Sequence, residues 1–242
     1  MEGDGYLDEA TGESMPSDGV IESQLVWSHD GETWHHFDEQ RTPAIGRSKD
    51  GFDSGKTHDY CWHLGCILPR VPAMIVRTGM IIGTAKEPVV DEEAGETHWY
   101  YTGATCTHGS NLPDRHKCIG RATWRNEGFF SLDAGETEAV VETAVLQLPE
   151  VAGGVRLRVN ADVEEGGGVC VELLGGDGAV VAGRAAADCA PLRGDSTRHS
   201  VSWASGDGVD VGAGGRLRLR FVATRARLFS FVFTPAAPAA GL

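Results

Sequence analysis

The residues with the richest chemistry lie in one stretch, GFDSGKTHDYCWH, at positions 51–63. Asp53, His58 and Asp59 could serve as a general base, hydrogen-bond the hydroxyls of a sugar, or ligate a metal. The alternative is structural, with Asp53 and Ser54 only capping a turn before a strand. Because binding residues are disproportionately found on loops of a rigid scaffold, both interpretations stay open.

A second candidate stretch is HWYYTGATCTHG, at positions 98–109. It predicts a strand with Trp99 and Tyr101 on one face and Tyr100 on the other. Aromatic rings suit the faces of sugars, because they combine flat apolar area with a polar rim. Core packing is the competing interpretation for Trp99 and Tyr101, since large aromatic side chains are buried on average. His108, just after the strand, is a candidate for lining a pocket.

Cysteines and histidines between positions 61 and 118 could supply the nitrogen and sulfur ligands of a tetrahedral zinc site. Their spacings, C-x-H-x-x-C and C-x-H, do not match paired C-x2-C knuckles, so we predict no metal and no cofactor. The six cysteines of the chain permit several disulfide schemes and select none. The redox compartment and the localisation are therefore left unassigned. The potential ligands are Cys61, His63, Cys66, Cys106, His108, His116 and Cys118.

Several enzyme signatures are missing from the sequence. It has no nucleophile elbow, no P-loop and no dinucleotide-binding fingerprint. It also lacks a convincing pair of carboxylates that could flank a glycosidic bond. We therefore assign no catalytic residue.

The formal charge of −14 bears on the partners of the chain. Nucleic acids and anionic membranes need basic patches, so we predict neither as a partner. A neutral ligand such as a carbohydrate is compatible with the charge. No apolar run reaches the roughly 18 residues of a membrane span, and residues 1–20 are acidic, so we expect neither a span nor a secretory signal here.

The segment SQLVWSHDGETWHHF, at positions 23–37, predicts a β-hairpin. Asp30 and Gly31 are suited to the positive φ angles of a two-residue type I′ turn, with Trp34 packed on the strand beneath. The segment is similar to the Asp box of sialidases, which has one more residue between Asp and Gly. We expect a structural role for this turn.

Most of the remaining sequence predicts strands. Between Pro149 and Phe233, segments such as GGVRLRVNADV, GVCVELLG, GRLRLRFVAT and ARLFSFVF alternate apolar and polar residues. They are bounded by Gly, Asp or Pro at about ten-residue spacing, which is typical of a β-sandwich. Residues 136–146 form the only candidate helix, and their Thr and Val content favours a strand there too.

Four segments together resemble the last part of five-bladed propeller glycosidase-like proteins, relatives of glycoside hydrolase families 32 and 43. They are ESQLVWSHDGETW, FDSG, HWYYTGATCTHG and CIGRATWRNEGFFSLDAGE. The resemblance implies an all-β fold, with a partial β-propeller (the last one or two blades) over 21–148 and a β-sandwich over 149–234. We predict a disordered acidic lead-in over 1–20 and a tail over 235–242.

The resemblance also implies a function. The chain would be glycoside-hydrolase-like, related to enzymes that hydrolyse fructose- or pentose-containing saccharides, but inactive alone because the family's catalytic carboxylates come from earlier blades. Pocket-lining residues would be Asp53, Tyr101 and His108, with His58 and Asp59 as weaker candidates. Missing blades or another chain would cover the exposed sheet edge. The alternative is a non-catalytic carbohydrate-binding or interaction module carried by the sandwich.

Overall fold

The computed structural model describes residues 6–7, 14–15, 21–46, 80–104, 117–148, 151, 154–209 and 215–236. The fold is all-β, with 59 % strand and 2 % helix. Within those ranges the helical part is one 3-10 turn, Ala186–Asp188. The all-β prediction is therefore confirmed, whereas the specific arrangement of partial propeller and sandwich stays a prediction.

The strands before residue 126 are short or of medium length. Two pairs of two-residue strands form antiparallel ribbons, β1 with β2 and β3 with β4. Strands β5 to β8 form a four-stranded sheet in which β5 and β8 both pair with β7. The bounds are β1 Tyr6–Leu7, β2 Ser14–Met15, β3 Val26–Trp27, β4 His35–His36, β5 Met80–Thr84, β6 Val89–Asp91, β7 Glu96–Ala104 and β8 Lys117–Arg125.

The chain divides into two compact units. Unit 1 is drawn from residues 1–90 and 98–123, and unit 2 from residues 91–97 and 124–242. The boundary predicted from the sequence, between 148 and 149, falls within unit 2, and the predicted domain limits stay a prediction.

Unit 2 is built on a seven-stranded sheet that curls into a half barrel. Its two long strands, β12 and β15, run antiparallel, from the pair Val155 and Pro235 to the pair Gly175 and Leu217. Strands β13 and β14 extend the sheet beyond β12, and β9, β10 and β11 pair with β15. The bounds are β9 Leu132–Ala134, β10 Ala139–Glu142, β11 Leu146–Gln147, β12 Val155–Gly175, β13 Gly194–Ser200, β14 Gly208–Val209 and β15 Arg216–Pro235.

An irregularity in pairing lets the two long strands bend. The register of β12 against β15 shifts between Val163 and Gly168. Opposite this point Arg225 has a φ of 46°, and a Cβ on Gly167 would lie 2.6 Å from the carbonyl oxygen of Arg225, so a side chain is excluded there. The sequence predicts turns that separate shorter strands here, and this prediction is wrong. The glycines lie in a bulge instead, and both long strands continue through it.

The concave side of the sheet encloses one apolar core. In β12 the alternation predicted from the sequence is confirmed, since Leu157 and Val159 are buried while Arg156 and Arg158 are partly exposed. In β15 the buried residues switch from odd to even positions at Arg225, as a bulge requires. The cluster includes Val155, Leu157, Val159, Ala161, Val169, Val171, Leu173, Val201, Trp203, Leu217, Leu219, Phe221 and Leu228.

A buried polar network fixes the segment after β8 on this sheet. Asn160 is 1 % exposed; its side-chain oxygen accepts a hydrogen bond from Arg125 Nε at 2.5 Å, and its amide donates to the carbonyl of Asn126 at 2.7 Å. Asn126 in turn accepts from the Thr97 hydroxyl at 2.5 Å. Arg125 also pairs with Asp195 at 2.6 Å. Because these buried polar groups satisfy one another, the network stabilises the unit rather than leaving a group poised for chemistry.

No helix in the described ranges is long and apolar enough to span a membrane.

Candidate functional site

The residues predicted to line a pocket are only partly covered by the structure. Asp53, His58, Asp59 and His108 lie outside the described residues. Tyr101 lies on β7 and is partly buried. The predicted pocket as a group therefore stays a prediction.

Tyr101 packs against the backbone of the neighbouring strand. A Cβ placed on Gly120 of β8 would overlap the Tyr101 ring and would lie 2.6 Å from its hydroxyl oxygen. The missing side chain at position 120 is thus what allows the ring to lie on the sheet, an aromatic–glycine contact known from edge positions of designed sheets. The ring of Tyr101 therefore lies against Gly120 of β8.

The neighbours of Tyr101 follow the alternation expected of a strand. Trp99 is partly buried, and its indole nitrogen donates to the carbonyl of Ala85 at 2.8 Å. Tyr100 is exposed. Both orientations agree with the face assignment made from the sequence.

The hairpin around Asp30 is present but has a longer connection than predicted. Val26 pairs with His36 and Trp27 pairs with His35, which leaves residues 28–34 in the connection. The prediction of a two-residue turn is therefore wrong. Gly31 does have the predicted positive φ, 76°.

The side chain of Asp30 organises this connection. Its Oδ1 accepts hydrogen bonds from the backbone N–H of Thr33 at 2.7 Å, from that of Glu32 at 2.8 Å and from the Ser28 hydroxyl at 2.9 Å. These donors hold the pKa of Asp30 well below its usual range, because they stabilise the charged form. Asp30 is therefore a fixed anion that shapes a turn.

The same hairpin exposes several aromatic rings. Trp34 is 60 % exposed and Phe37 46 % exposed, so the prediction that Trp34 packs on the strand beneath is wrong. Trp27, 38 % exposed, stacks on His35 with ring centroids 4.7 Å apart and meets His29 edge-on at 4.8 Å. We refer to residues 26–37, with these rings, as the aromatic hairpin.

A shallow depression lies at the end of the aromatic hairpin, lined by residues 36–39 and Arg41. One of these lining residues, Asp38, accepts a hydrogen bond from the backbone N–H of Thr42 at 2.8 Å. The side chain and backbone of Thr42 lower the pKa of Asp38 from its ordinary value. The depression thus combines an aromatic ring with a carboxylate and a guanidinium, groups that could contact a small polar ligand.

The described part of the chain offers few side chains that could form a metal centre. There, no three His, Cys, Asp or Glu side chains are grouped as a potential metal site. Of the seven potential zinc ligands found in the sequence, only Cys118 is described, and it is an exposed free thiol.

The exposed surface of the aromatic hairpin was not predicted from the sequence. Two tryptophans seven positions apart, Trp27 and Trp34, were available as a signal. Their exposure depends on the length of the connection, which Asp30 sets through its side chain and which the Asp-Gly dipeptide alone does not specify.

Comparison with protein-family models, with curated proteins and with solved structures finds no match to this chain.

Proposed function

We propose that this chain is a glycoside-hydrolase-like protein of the family 32/43 type, and that it binds a neutral fructose- or pentose-containing saccharide without cleaving it by itself. The resemblance of the four quoted segments supports the family. The exposed rings of the aromatic hairpin are the single observation that carries the binding function.

Those rings have the properties of a saccharide-binding surface. Trp34 and Phe37 present flat apolar area to solvent, and Trp27 is held in place by two histidine rings. Tryptophan gains much binding energy at low conformational cost, because only two χ angles are fixed. Exposed apolar surface of this kind marks interaction sites on soluble proteins. A net charge of −14 favours a neutral ligand over an anionic one.

Four of the described carboxyl groups are unsuited to the role of a general acid. The general acid of a glycosidase needs a raised pKa to hold its proton near neutral pH. Asp30, Asp38, Glu127 and Glu142 all have a lowered pKa, because hydrogen bonds from backbone N–H groups, hydroxyls or arginines stabilise their charged forms. Each of these four groups is held as an anion.

The same proposal includes the assignment of the strands to a partial propeller and a sandwich. In it, the strands of residues 21–148 that lie outside the curled sheet correspond to the last one or two propeller blades, and the curled sheet corresponds to the closing β-sandwich. Asp53, Tyr101 and His108, with His58 and Asp59, would line the central pocket. Further blades, or another chain, would cover the open sheet edge.

The alternative, a carbohydrate-binding or interaction module in the sandwich, has less support. Such a module needs aromatic rings on an outer face, whereas Trp203 and Phe221 are 4 % and 2 % exposed. Phe231 and Phe233 pack against the same core. The aromatic side chains of β15 thus mainly hold the sheet together.

Titration of the whole chain with fructo-, arabino- and xylo-oligosaccharides, followed by tryptophan fluorescence and calorimetry, tests the proposal. We expect binding of at least one series, and a loss of affinity of about tenfold in Trp34→Ala, which corresponds to one stacking contact. Tyr100→Ala, which removes a ring 42 % exposed on β7, is the matched control and should bind as the unmodified protein does.

Two results would count against the proposal. Equal losses in Trp34→Ala and Tyr100→Ala would show that the aromatic hairpin is not the binding surface. Hydrolysis of an activated aryl glycoside by the purified chain, abolished in Asp53→Ala, would contradict the absence of cleavage.

A further inference from the structure

Two cysteines in unit 2 lie on neighbouring segments although 19 positions separate them in the sequence. Cys170 lies within β12 and is partly buried, whereas Cys189 is 6 % exposed and belongs to the apolar core. Both are free thiols in this structure.

The backbone places the two residues side by side. The segment that follows Cys189 runs antiparallel to β12, since Val169 and Leu192 exchange two backbone hydrogen bonds of 3.2 and 2.9 Å. The sulfur of Cys189 accepts a hydrogen bond from the backbone N–H of Val171 at 3.3 Å. It therefore lies beside the residue that follows Cys170 in β12, which places the two thiols at neighbouring positions of adjacent segments.

The neighbouring contacts hold this arrangement in place. Cys189 forms an isolated bridge with Trp203, and the Trp203 indole donates to the carbonyl of Val171 at 2.8 Å. The segment carrying Cys189 is thus fixed from both sides, by β12 and by Trp203. A disulfide between adjacent segments needs this proximity before any bond can form.

We propose that Cys170 and Cys189 are an oxidation site that closes to an intramolecular disulfide, which would link the segment 186–192 covalently to β12. The oxidant is a low-molecular-weight disulfide such as oxidised glutathione. One thiolate attacks it and releases one glutathione; the second thiolate then attacks the mixed disulfide and releases another glutathione. Two thiols lose two protons and two electrons, and the glutathione disulfide is reduced to two thiols.

The order of attack follows from exposure. Burial raises the pKa of Cys189 to about 11, and it also raises the pKa of the less buried Cys170. The thiolate is the attacking species, and access decides which sulfur meets the oxidant first. Cys170 is therefore the attacking residue and Cys189 the one that resolves the mixed disulfide.

Peptide mapping gives a direct test, because Arg184 lies between the two cysteines. Trypsin separates Cys170, in residues 159–184, from Cys189, in residues 185–193, so the two peptides stay together only through a disulfide. The folded full-length chain is treated with oxidised glutathione, its remaining thiols are blocked, and the digest is analysed by mass spectrometry without reduction. We expect the linked pair of peptides, about 2 Da lighter than their sum, and its disappearance after reduction.

Variants establish the roles of the two residues. Cys189→Ser should trap glutathione on Cys170, whereas Cys170→Ser should leave Cys189 largely unmodified. A chain with Cys61, Cys66, Cys106 and Cys118 replaced by serine should still form the link.

The same protein, oxidised and reduced, serves as its own control for stability. Cross-linking residues about 20 positions apart removes conformational freedom from the unfolded chain, so oxidation should raise the Tm of unit 2 by roughly 5–10 °C. The proposal is overturned if both cysteines are recovered in separate peptides after oxidation, or if either is linked to another cysteine instead.

Discussion

Aromatic side chains are used in opposite ways in the curled sheet and in the aromatic hairpin. In unit 2, Phe221 and Trp203 are enclosed by the curled sheet, whereas in unit 1 the aromatic hairpin turns Trp34 and Phe37 toward solvent. The hairpin is shaped instead by the carboxylate of Asp30, which accepts three hydrogen bonds at its connection. The curled sheet is thus organised around apolar burial, while the aromatic hairpin is organised by polar turn contacts that leave Trp34 and Phe37 exposed.

Removing an aromatic ring from the core should cause the largest loss in the free energy of unfolding. Phe221→Ala empties a fully buried position, so we expect a loss of about 3–5 kcal/mol in the free energy of unfolding, measured by urea denaturation. Val140→Ala, on the exposed side of β10, is the control and should change it by less than about 1 kcal/mol. A similar small loss in both variants would mean that the core is not organised around Phe221. Trp34→Ala, which should weaken saccharide binding, should leave unfolding unchanged.

A smaller loss in the free energy of unfolding is expected where a ring of unit 1 packs on a neighbouring strand. Gly120→Ala would push the Tyr101 ring off β8, so we expect a loss of about 1–3 kcal/mol and a changed near-ultraviolet circular dichroism. Gly83→Ala is the matched control, because a Cβ at that position of β5 has no atom within 4 Å. If the two variants are equally stable, Tyr101 is not held against Gly120.

The smallest expected effect is the pH dependence that comes from the charge of Asp30. Its pKa is lowered in the folded state, so its stabilising contribution is complete above the unfolded value near 4 and is lost as the pH falls through the folded value. We expect the amide resonances of Glu32 and Thr33 to shift only in strong acid, below about pH 3, in an NMR titration. Asp30→Asn keeps an acceptor oxygen without the charge and should show no such shift. A midpoint near pH 4 in the unmodified protein would mean that the three hydrogen bonds are not formed.

The strands were more predictable than their connections. Alternation in VRLRV and RLRLRF indicated which side chains of β12 and β15 face the core, because one face of a buried sheet is apolar. The same pattern could not reveal that each strand continues past Gly166 to Gly168 or past Arg225. A bulge and a turn use the same residue types, and only the partner strand decides between them.

The site residues were less predictable for a related reason. The contact between Tyr101 and Gly120, and the neighbouring positions of Cys170 and Cys189, both depend on how adjacent segments pair, which the spacing of residues in one strand does not specify. The exposure of Trp34 depends on hydrogen bonds made by Asp30. Short motifs therefore predicted where the hairpin lies but could not predict which of its side chains are exposed.

The pairing of β12 with β15 has a kinetic consequence. Their nearest paired residues, Gly175 and Leu217, and their most distant, Val155 and Pro235, are all far apart in the sequence. The chain must close a long loop before these two strands pair, and such non-local topologies fold in milliseconds to seconds rather than microseconds. During that interval both long strands have unpaired edges, and the arginines and acids that alternate along them keep these edges from associating with other chains.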